Sequence, residues 1–320
     1  MDKKRGFITV ATGNEKYYEL AANLYLSYKT RGNGAYPFAL ICDRENGYTK
    51  CFDDVILARD IRKSTVDKLL MRYSPYEESI FLDADILVLR KIDDLWDVFA
   101  DQDDVSVFGC TLPLDSQLGW FTYEGSGKFK SQVHFLISMN GGLYYFRRSP
   151  RSEAIFQKAL EIIDDYRDID FKYFSTPQDE PLMAMSMVLN DCRPCEAHYD
   201  MIILPVCRSK VTTDHRGNVF EGRSLSPARF IHFSTRRTQL FLYHYLNEIN
   251  HHESGWKTRA HYRAMRRQYV LRDIHFNLCH TGGAILRKLC SERAVYRIKT
   301  LVRRARKRPR KYRTKRAEML

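Results

Sequence analysis

The sequence predicts an α/β fold with a mostly parallel sheet flanked by helices, and two observations predict it. Short apolar runs rich in β-branched and aromatic residues alternate, over the first 90 residues, with a stretch whose apolar side chains recur every four positions. Strands separated by helices in this way return to one sheet in parallel. In addition, 320 residues that are 44% hydrophobic and 13% aromatic suffice to cover such a sheet with a packed core.

Phe7 to Thr12 (FITVAT) reads as the first buried strand. Glu15 to Thr30 follows as a helix, with Leu20, Leu24 and Tyr28 at four-residue spacing on one face. Phe38 to Cys42 (FALIC) and Asp54 to Ala58 (DVILA) are two more short strands, separated by a glycine-containing loop. Val66 to Tyr73 suggests a helix that ends before Pro75. The run Ile80 to Leu89 is apolar enough for another buried strand. Beyond it, Val105 to Cys110 (VSVFGC) is a strand, and Val133 to Arg147 holds a strand interrupted by "NGG". Ser152 to Tyr166 and Glu180 to Leu189 are helical, and Met201 to Val206 (MIILPV) returns to strand. No internal repeat precedes the C-terminal segment. The economical partition is one α/β domain over residues 1–250 and a basic extension over 251–320.

Charge is unevenly placed. Residues 257–320 hold 21 Lys and Arg against 3 acidic residues, whereas residues 1–256 hold 31 against 36. The formal net charge of +13 therefore belongs to an appendage. A mildly acidic body with a cationic tail suits an enzyme-like domain tethered to an anionic surface, not a protein that binds nucleic acid throughout. The opening "MDKKRGFITVATG" passes from charged residues into a strand with no apolar leader, and no stretch approaches about 18 consecutive apolar residues. A soluble, cytoplasmic protein is expected. Eight cysteines are scattered, and only Cys192 and Cys195 form C-x-x-C, with no second pair at zinc spacing; reduced structural thiols are the expected state.

Two aspartates, Asp83 and Asp85, stand in the middle of the apolar run "IFLDADILVL". In an extended strand residues two apart share a face, so the two carboxylates would project together. Side by side they repel, and a divalent cation removes that repulsion while supplying fixed positive charge for catalysis. The same spacing at Asp101/Asp103 and Asp168/Asp170 lies in polar surroundings that suit solvated loops. The first pair differs because an apolar strand leads into it, near the end of an open α/β unit where such sheets hold ligands. Haloacid-dehalogenase phosphatases also place D-x-D after an apolar strand, with the first Asp as nucleophile. In them the motif closes the first strand, whereas about three strands precede it here.

Five segments in the same order resemble glycosyltransferase family 8, the glycogenin and lipopolysaccharide galactosyltransferase family. They are "FITVATGNEKYYELAANLYLSYK", "KLLMRYSPYEESIFLDADILVLRKIDDLW", "MNGGLYYF", "TPQDEPLM" and "RFIHFSTRRT", and together they span about residues 7–240. The resemblance implies a GT-A fold, Rossmann-like with a mostly parallel mixed sheet, and metal-dependent transfer of a sugar from a nucleotide sugar with retention of configuration. It implies that Asp83, Asp85 and His232 bind Mn2+ or Mg2+, with Ala84 in the same donor-binding loop. An imidazole ligand favours Mn2+. Thr12 and Tyr17 would hold the nucleoside of a UDP-linked donor, the tyrosine by stacking on uracil. Lys68 would reach the donor, Asn140 and Gly141 would lie against its sugar, and Gln178 and Asp179 would sit at the reacting face. Taken singly, Tyr17 could pack, His232 could be a hydrogen-bonded core residue, Lys68 could face solvent and "NGG" could be only a tight turn.

This chain departs from the family pattern in two places. "FSTRRT" follows His232 where the family has a glycine and Lys-Pro-Trp, so Arg236 or Arg237 would neutralise the departing diphosphate. Pro177 replaces the first Asp of the family's Asp-Gln-Asp, which makes Glu180 a competing candidate. The acceptor is expected to be a glycan or lipid-linked glycan; Trp120, Phe121 and Tyr123, in the loop Pro113 to Ser131, could stack on a sugar or pack on the core. From Leu286 onward, Cys290, Ala294, Ile298, Leu301 and Ala305 recur at helical spacing among arginines and lysines. That is the pattern of a basic amphipathic helix, followed by a disordered arm, and residues 285–316 are expected to lie on an anionic membrane at the cytoplasmic face or to pack on the domain. The tail lacks a zinc-finger spacing or a glycine-rich aromatic RNA motif, so specific nucleic-acid binding is not the expected role.

Overall fold

The computed structural model describes residues 4–172, 175–196, 201–203, 211–234, 237–238, 240–251, 259–270 and 273–274. Six strands form the central sheet: β1 (Arg5–Ala11), β2 (Phe38–Cys42), β3 (Asp54–Leu57), β4 (Glu78–Leu82), β6 (Val105–Leu112) and β7 (Leu136–Arg147). Their order is β3-β2-β1-β4-β7-β6; the first four run parallel, and β7 is antiparallel to both its neighbours. This is the mostly parallel α/β sheet that the alternation of elements predicts.

β1, β2 and β4 are buried on both faces, which is why their sequences read as continuous apolar runs and not alternating ones, while β3 at the edge is only half-buried. Along β1, Phe7 joins a cluster with Tyr28, Phe38 and Trp96, while Ile8 joins a second cluster with Ala39, Ile41 and Phe81. The helix α1 (Glu15–Arg31) covers the first face, and the short α2 (Leu95–Val98) adds Leu95 and Trp96 to the same cluster. The side chain of Asn14 caps its start by accepting from Lys16 N, and Lys29 and Arg31 complement its C-terminal end. The second face is covered by α3 (Pro150–Glu161) and α4 (Asp179–Leu189). A reciprocal Ser149/Ser152 capping box with Pro150 in the first turn fixes where α3 begins.

Two expectations are corrected. The run Ile80 to Leu89 is not one strand. β4 stops at Leu82, residues Asp83–Asp85 turn with Ile86 N donating to Asp83 O (2.9 Å), and β5 (Ile86–Val88) enters a different sheet. There it pairs antiparallel with β12 (Phe230–His232), which is parallel to β8 (Ile202–Ile203). Two carboxylates in mid-strand would have no partners inside the core, whereas the turn swings both toward His232 at the end of β12. Conversely, "NGG" does not interrupt β7, which runs unbroken through Asn140, Gly141 and Gly142. The helix expected over Val66 to Tyr73 is a 3-10 helix, Thr65–Tyr73.

A small antiparallel sheet of β9 (Val211–Thr213), β10 (Val219–Glu221) and β11 (Ser224–Leu225) follows β8. The helix α5 (Phe241–His251) packs on α1, where Tyr243 OH accepts from Asn23 Nδ2 and Asn250 Oδ1 from Arg31 Nε. Cys192 is buried and donates to Val105 O at 2.9 Å, and burial pushes its thiol up to about 12, as suits a structural thiol. The chain divides into two compact units, Met1–Met265 and Arg266–Leu320. The amphipathic pattern from Leu286 onward and the arm after it lie outside the described residues. No helix among the described residues is long and apolar enough to cross a membrane.

Candidate active site

The chain builds its polar centre where the parallel strands end. Gly142 O accepts from Asp83 N (2.8 Å) as β4 leaves β7, and Asp85 O accepts from Phe233 N (3.0 Å) just past β12. These two backbone bonds clamp the Asp83–Asp85 turn between the two sheets. One ligand atom each from Asp83, Asp85 and His232 lies within 4.8 Å of the others. His232 Nε2 is 3.0 Å from Asp85 Oδ1 and 3.5 Å from Asp83 Oδ2.

Asn140 fixes the state of that imidazole. Its Oδ1 accepts from Gly142 N (3.1 Å), which sets the amide orientation, and faces His232 Nδ1 at 3.0 Å. Nδ1 must therefore carry a hydrogen, and Nε2 is the nitrogen turned toward the carboxylates. Asp85 Oδ1, buried and 3.0 Å from Nε2, nonetheless makes no hydrogen bond. A buried carboxylate oxygen whose near neighbour is that nitrogen, a second carboxylate and an oriented imidazole form a donor set that fits a divalent cation. Gly142 permits this approach: a Cβ there would stand 2.6 Å from His232 Nδ1 and 2.9 Å from Asn140 Oδ1.

Lys68, in the 3-10 helix, lies 2.7 Å from Asp83 Oδ2 and 3.0 Å from Asp179 Oδ2, the latter without hydrogen-bond geometry. Burial lowers the Lys68 ammonium, but the charges of Asp179 and Asp83 hold it well above its ordinary value. Burial raises Asp83, yet Lys68 and His232 overcome it and hold that carboxyl far below the usual range. Asp179 and Glu180 are raised, chiefly by burial, with the Asp179 charge adding to the rise at Glu180. Burial lowers His232, and the facing Asp83 and Asp85 more than reverse this, to about 9.

Other expected residues fall around this centre in different ways. Tyr17, in the first turn of α1, is 52% exposed, which suits a face for stacking and not a core tyrosine. Thr12 is buried and gives its hydroxyl proton to Asp67 Oδ2 at 2.6 Å. Asp67 also accepts from the backbone of Arg62 and Lys63, so Thr12 is part of the scaffold at the end of β1. Gly141 N donates to Glu180 Oε1 at 2.7 Å. Gln178 turns away: its Oε1 accepts from Thr65 Oγ1 at 2.8 Å in an exposed setting. Arg237 Nη1 donates to Ser234 O and Oγ, and its Nε is buried without a hydrogen bond. Arg236 lies outside the described residues. The sequence did not single out Asp67 or Gly142; the second glycine of "NGG" was a visible signal for Gly142, whereas Asp67 offered none.

No protein-family model matches the sequence, and no curated protein matches it. Among solved structures, the chain is similar to the galactosyltransferase LgtC in complex with donor and acceptor sugar analogs, at 15% identity and a TM-score of 0.45 over 72% of this chain and 87% of that one. It is similar to an active-site mutant of LgtC at 16% identity and 0.43, over 72% and 87%. It is also similar to the bifunctional glycosyltransferase WbbM at 12% identity and 0.47, over 84% of this chain and 52% of that one, so it spans about half of WbbM. These values mark a distant likeness of chain course, and what the centre can do follows from its own geometry.

Proposed function

We propose that this protein is a cation-dependent glycosyltransferase that moves a sugar from a nucleotide-sugar donor, a UDP-sugar, to a glycan or lipid-linked glycan. The observation that carries this reading is the convergence of Asp83, Asp85 and an Asn140-oriented His232 at the end of the parallel sheet. Mn2+ or Mg2+ held there would bind the diphosphate and offset the charge that develops on it as the glycosidic bond breaks. The chain's own residues would complete the work. Lys68 spans from the cation set to Asp179 and adds positive charge beside the departing phosphate. Arg237 has a buried N–H that, among the described residues, makes no hydrogen bond, and it stands close to His232 in sequence, where it would serve a phosphate oxygen. Tyr17 offers an exposed ring for the base. Retention of configuration would follow from attack on the departing face, in which the phosphate accepts the acceptor's proton and Asp179 orients the sugar. The phosphatase alternative is not favoured, because it needs Asp83 as a nucleophile and Lys68 Nζ and His232 Nε2 both face its Oδ2.

The full chain is expected to release UDP from at least one UDP-hexose with Mn2+, and chelation should abolish the release. No release from any common nucleotide sugar, with Mn2+ or Mg2+, would sink the reading. The 21 basic residues of 257–320 further support attachment to an anionic membrane surface, where a lipid-linked acceptor would lie. Sedimentation with anionic but not neutral vesicles at low salt is the expected outcome; equal binding by residues 1–256 alone would remove that part.

A further inference from the structure

Beside the cation set stands a further carboxylate, that of Glu180, joined to the backbone of Gly141. Gly141 follows Asn140, which touches His232, so its backbone lies beside the cation set. A sugar joined through phosphate to a cation held there is one bond from that phosphate and must lie against these same residues. Around Gly141 three polar groups close in. A Cβ on this glycine would stand 2.5 Å from Glu180 Cγ, 2.8 Å from the Tyr144 hydroxyl and 3.2 Å from Asp179 Oδ2. The Tyr144 hydroxyl is fully buried and makes no hydrogen bond. Glu180 Oε1 is fixed by Gly141 N–H at 2.7 Å, and among the described residues nothing hydrogen-bonds to its Oε2. Gln178 is committed elsewhere, to Thr65 and Thr176.

We propose that Glu180 is a specificity-determining residue of the donor-sugar pocket, selecting a neutral, hydroxyl-bearing pyranose over an acidic one. The inference rests on the glycosyl-transfer reading. Its physics is simple. Oε1 is anchored to the backbone, so Oε2 has a fixed position from which to accept a hydrogen bond from a sugar hydroxyl. Asp179 and Glu180 together bring two carboxyl groups to this side of the centre, and Lys68 is shared between Asp179 and Asp83. A uronate carboxylate placed there would meet these carboxyl groups and, among the described residues, a lysine already shared between two carboxylates, which is rejection by an unfavourable contact and not merely loss of a good one.

Calorimetric titration with UDP, a UDP-hexose and the corresponding UDP-hexuronate, in Mn2+, tests this on the full chain. The wild type should bind the hexose form about tenfold or more tighter than the uronate. Glu180→Gln keeps the acceptor for Gly141 N–H and so should keep the fold, checked by its melting temperature. It should bring the two sugars within about threefold of each other while leaving UDP itself unchanged. Gln178→Ala should leave the wild-type ratio intact. Equal affinity for the two sugars in the wild type, or a ratio unaltered by Glu180→Gln while UDP still binds, overturns this inference and leaves the glycosyltransferase reading standing. No binding of UDP or any UDP-sugar by the wild type removes both.

Discussion

Asp85→Asn is expected to lower the rate of UDP-sugar cleavage by about a thousandfold, which corresponds to about 4 kcal/mol of transition-state stabilisation. The substitution keeps the shape of the side chain and the backbone carbonyl that accepts from Phe233 N, so the clamp on the turn survives. What it removes is one negative charge from a centre where Asp83, Asp85, Asp179 and Glu180 gather around Lys68 and His232. Asp85 Oδ1 faces His232 Nε2 across the space between the ligand atoms, so the loss of this carboxylate should weaken cation affinity directly. Melting temperature in chelator should fall modestly, because the protonated His232 loses the facing Asp85 charge while no cavity is made. Steady-state rates against Mn2+ concentration, with thermal melts beside them, check all three statements. Equal rates for wild type and variant, both insensitive to chelator, would show that the carboxylate pair serves no cation in the reaction.

Much of this centre was legible in the sequence, and the reasons differ by residue. The parallel strands announced themselves because burial on both faces demands unbroken apolar runs, as at FALIC, where every residue of β2 is buried. The paired aspartates stood out because ionisable groups inside an apolar run need a compensating partner. What the sequence did not yield was where the run turns. The apolar stretch Ile80 to Leu89 serves two sheets, and the change of sheet at Asp83–Asp85 depends on β12, more than a hundred residues later, supplying His232 and the pairing for β5. Spacing rules assume a regular strand, so they placed the two carboxylates together by alternation, whereas a turn is what gathers them. "NGG" was ambiguous for the same reason. Two glycines in a row usually mark a turn, but here they let Glu180 and His232 approach a continuous strand that any side chain would block. Thr12 was placed correctly at the end of β1, yet its hydroxyl is bound by Asp67, a contact set by the fold of the 3-10 helix and not by local pattern.

The affinity for Mn2+ should rise with pH, about tenfold per unit, from pH 6.5 to about 8.5, a total change of roughly a hundredfold. The cause lies in His232. Without a cation it is held at about 9 by the facing Asp83 and Asp85 against the lowering effect of burial, so at pH 7 it carries a proton on Nε2. That nitrogen is the one turned toward the carboxylates, because Nδ1 gives its hydrogen to Asn140 Oδ1. A cation can use the Nε2 lone pair only after displacing the proton, so one proton leaves for each ion bound. The other groups that face the imidazole do not reverse the trend. Asp83 is held far below the usual carboxylate range, and Lys68, which faces Asp83, stays charged because its own value is well above the ordinary one. Stability must follow pH differently in the two states. In chelator, the protonated imidazole contributes stability that is complete below about pH 6.5 and is lost as pH rises through about 9, so the melting temperature should fall across that interval. In saturating Mn2+ the tighter binding offsets that loss, because above about pH 6.5 neither the loaded nor the unfolded chain carries the proton, and the melting temperature should stay level. Titration calorimetry in two buffers of different ionisation enthalpy gives the proton count directly. A release close to one proton at pH 7, abolished in His232→Asn, is the expected result. No proton release in the wild type, with an affinity flat from pH 6.5 to 8.5, would remove His232 from the cation's ligands and leave it as a charged brace between Asp83 and Asp85.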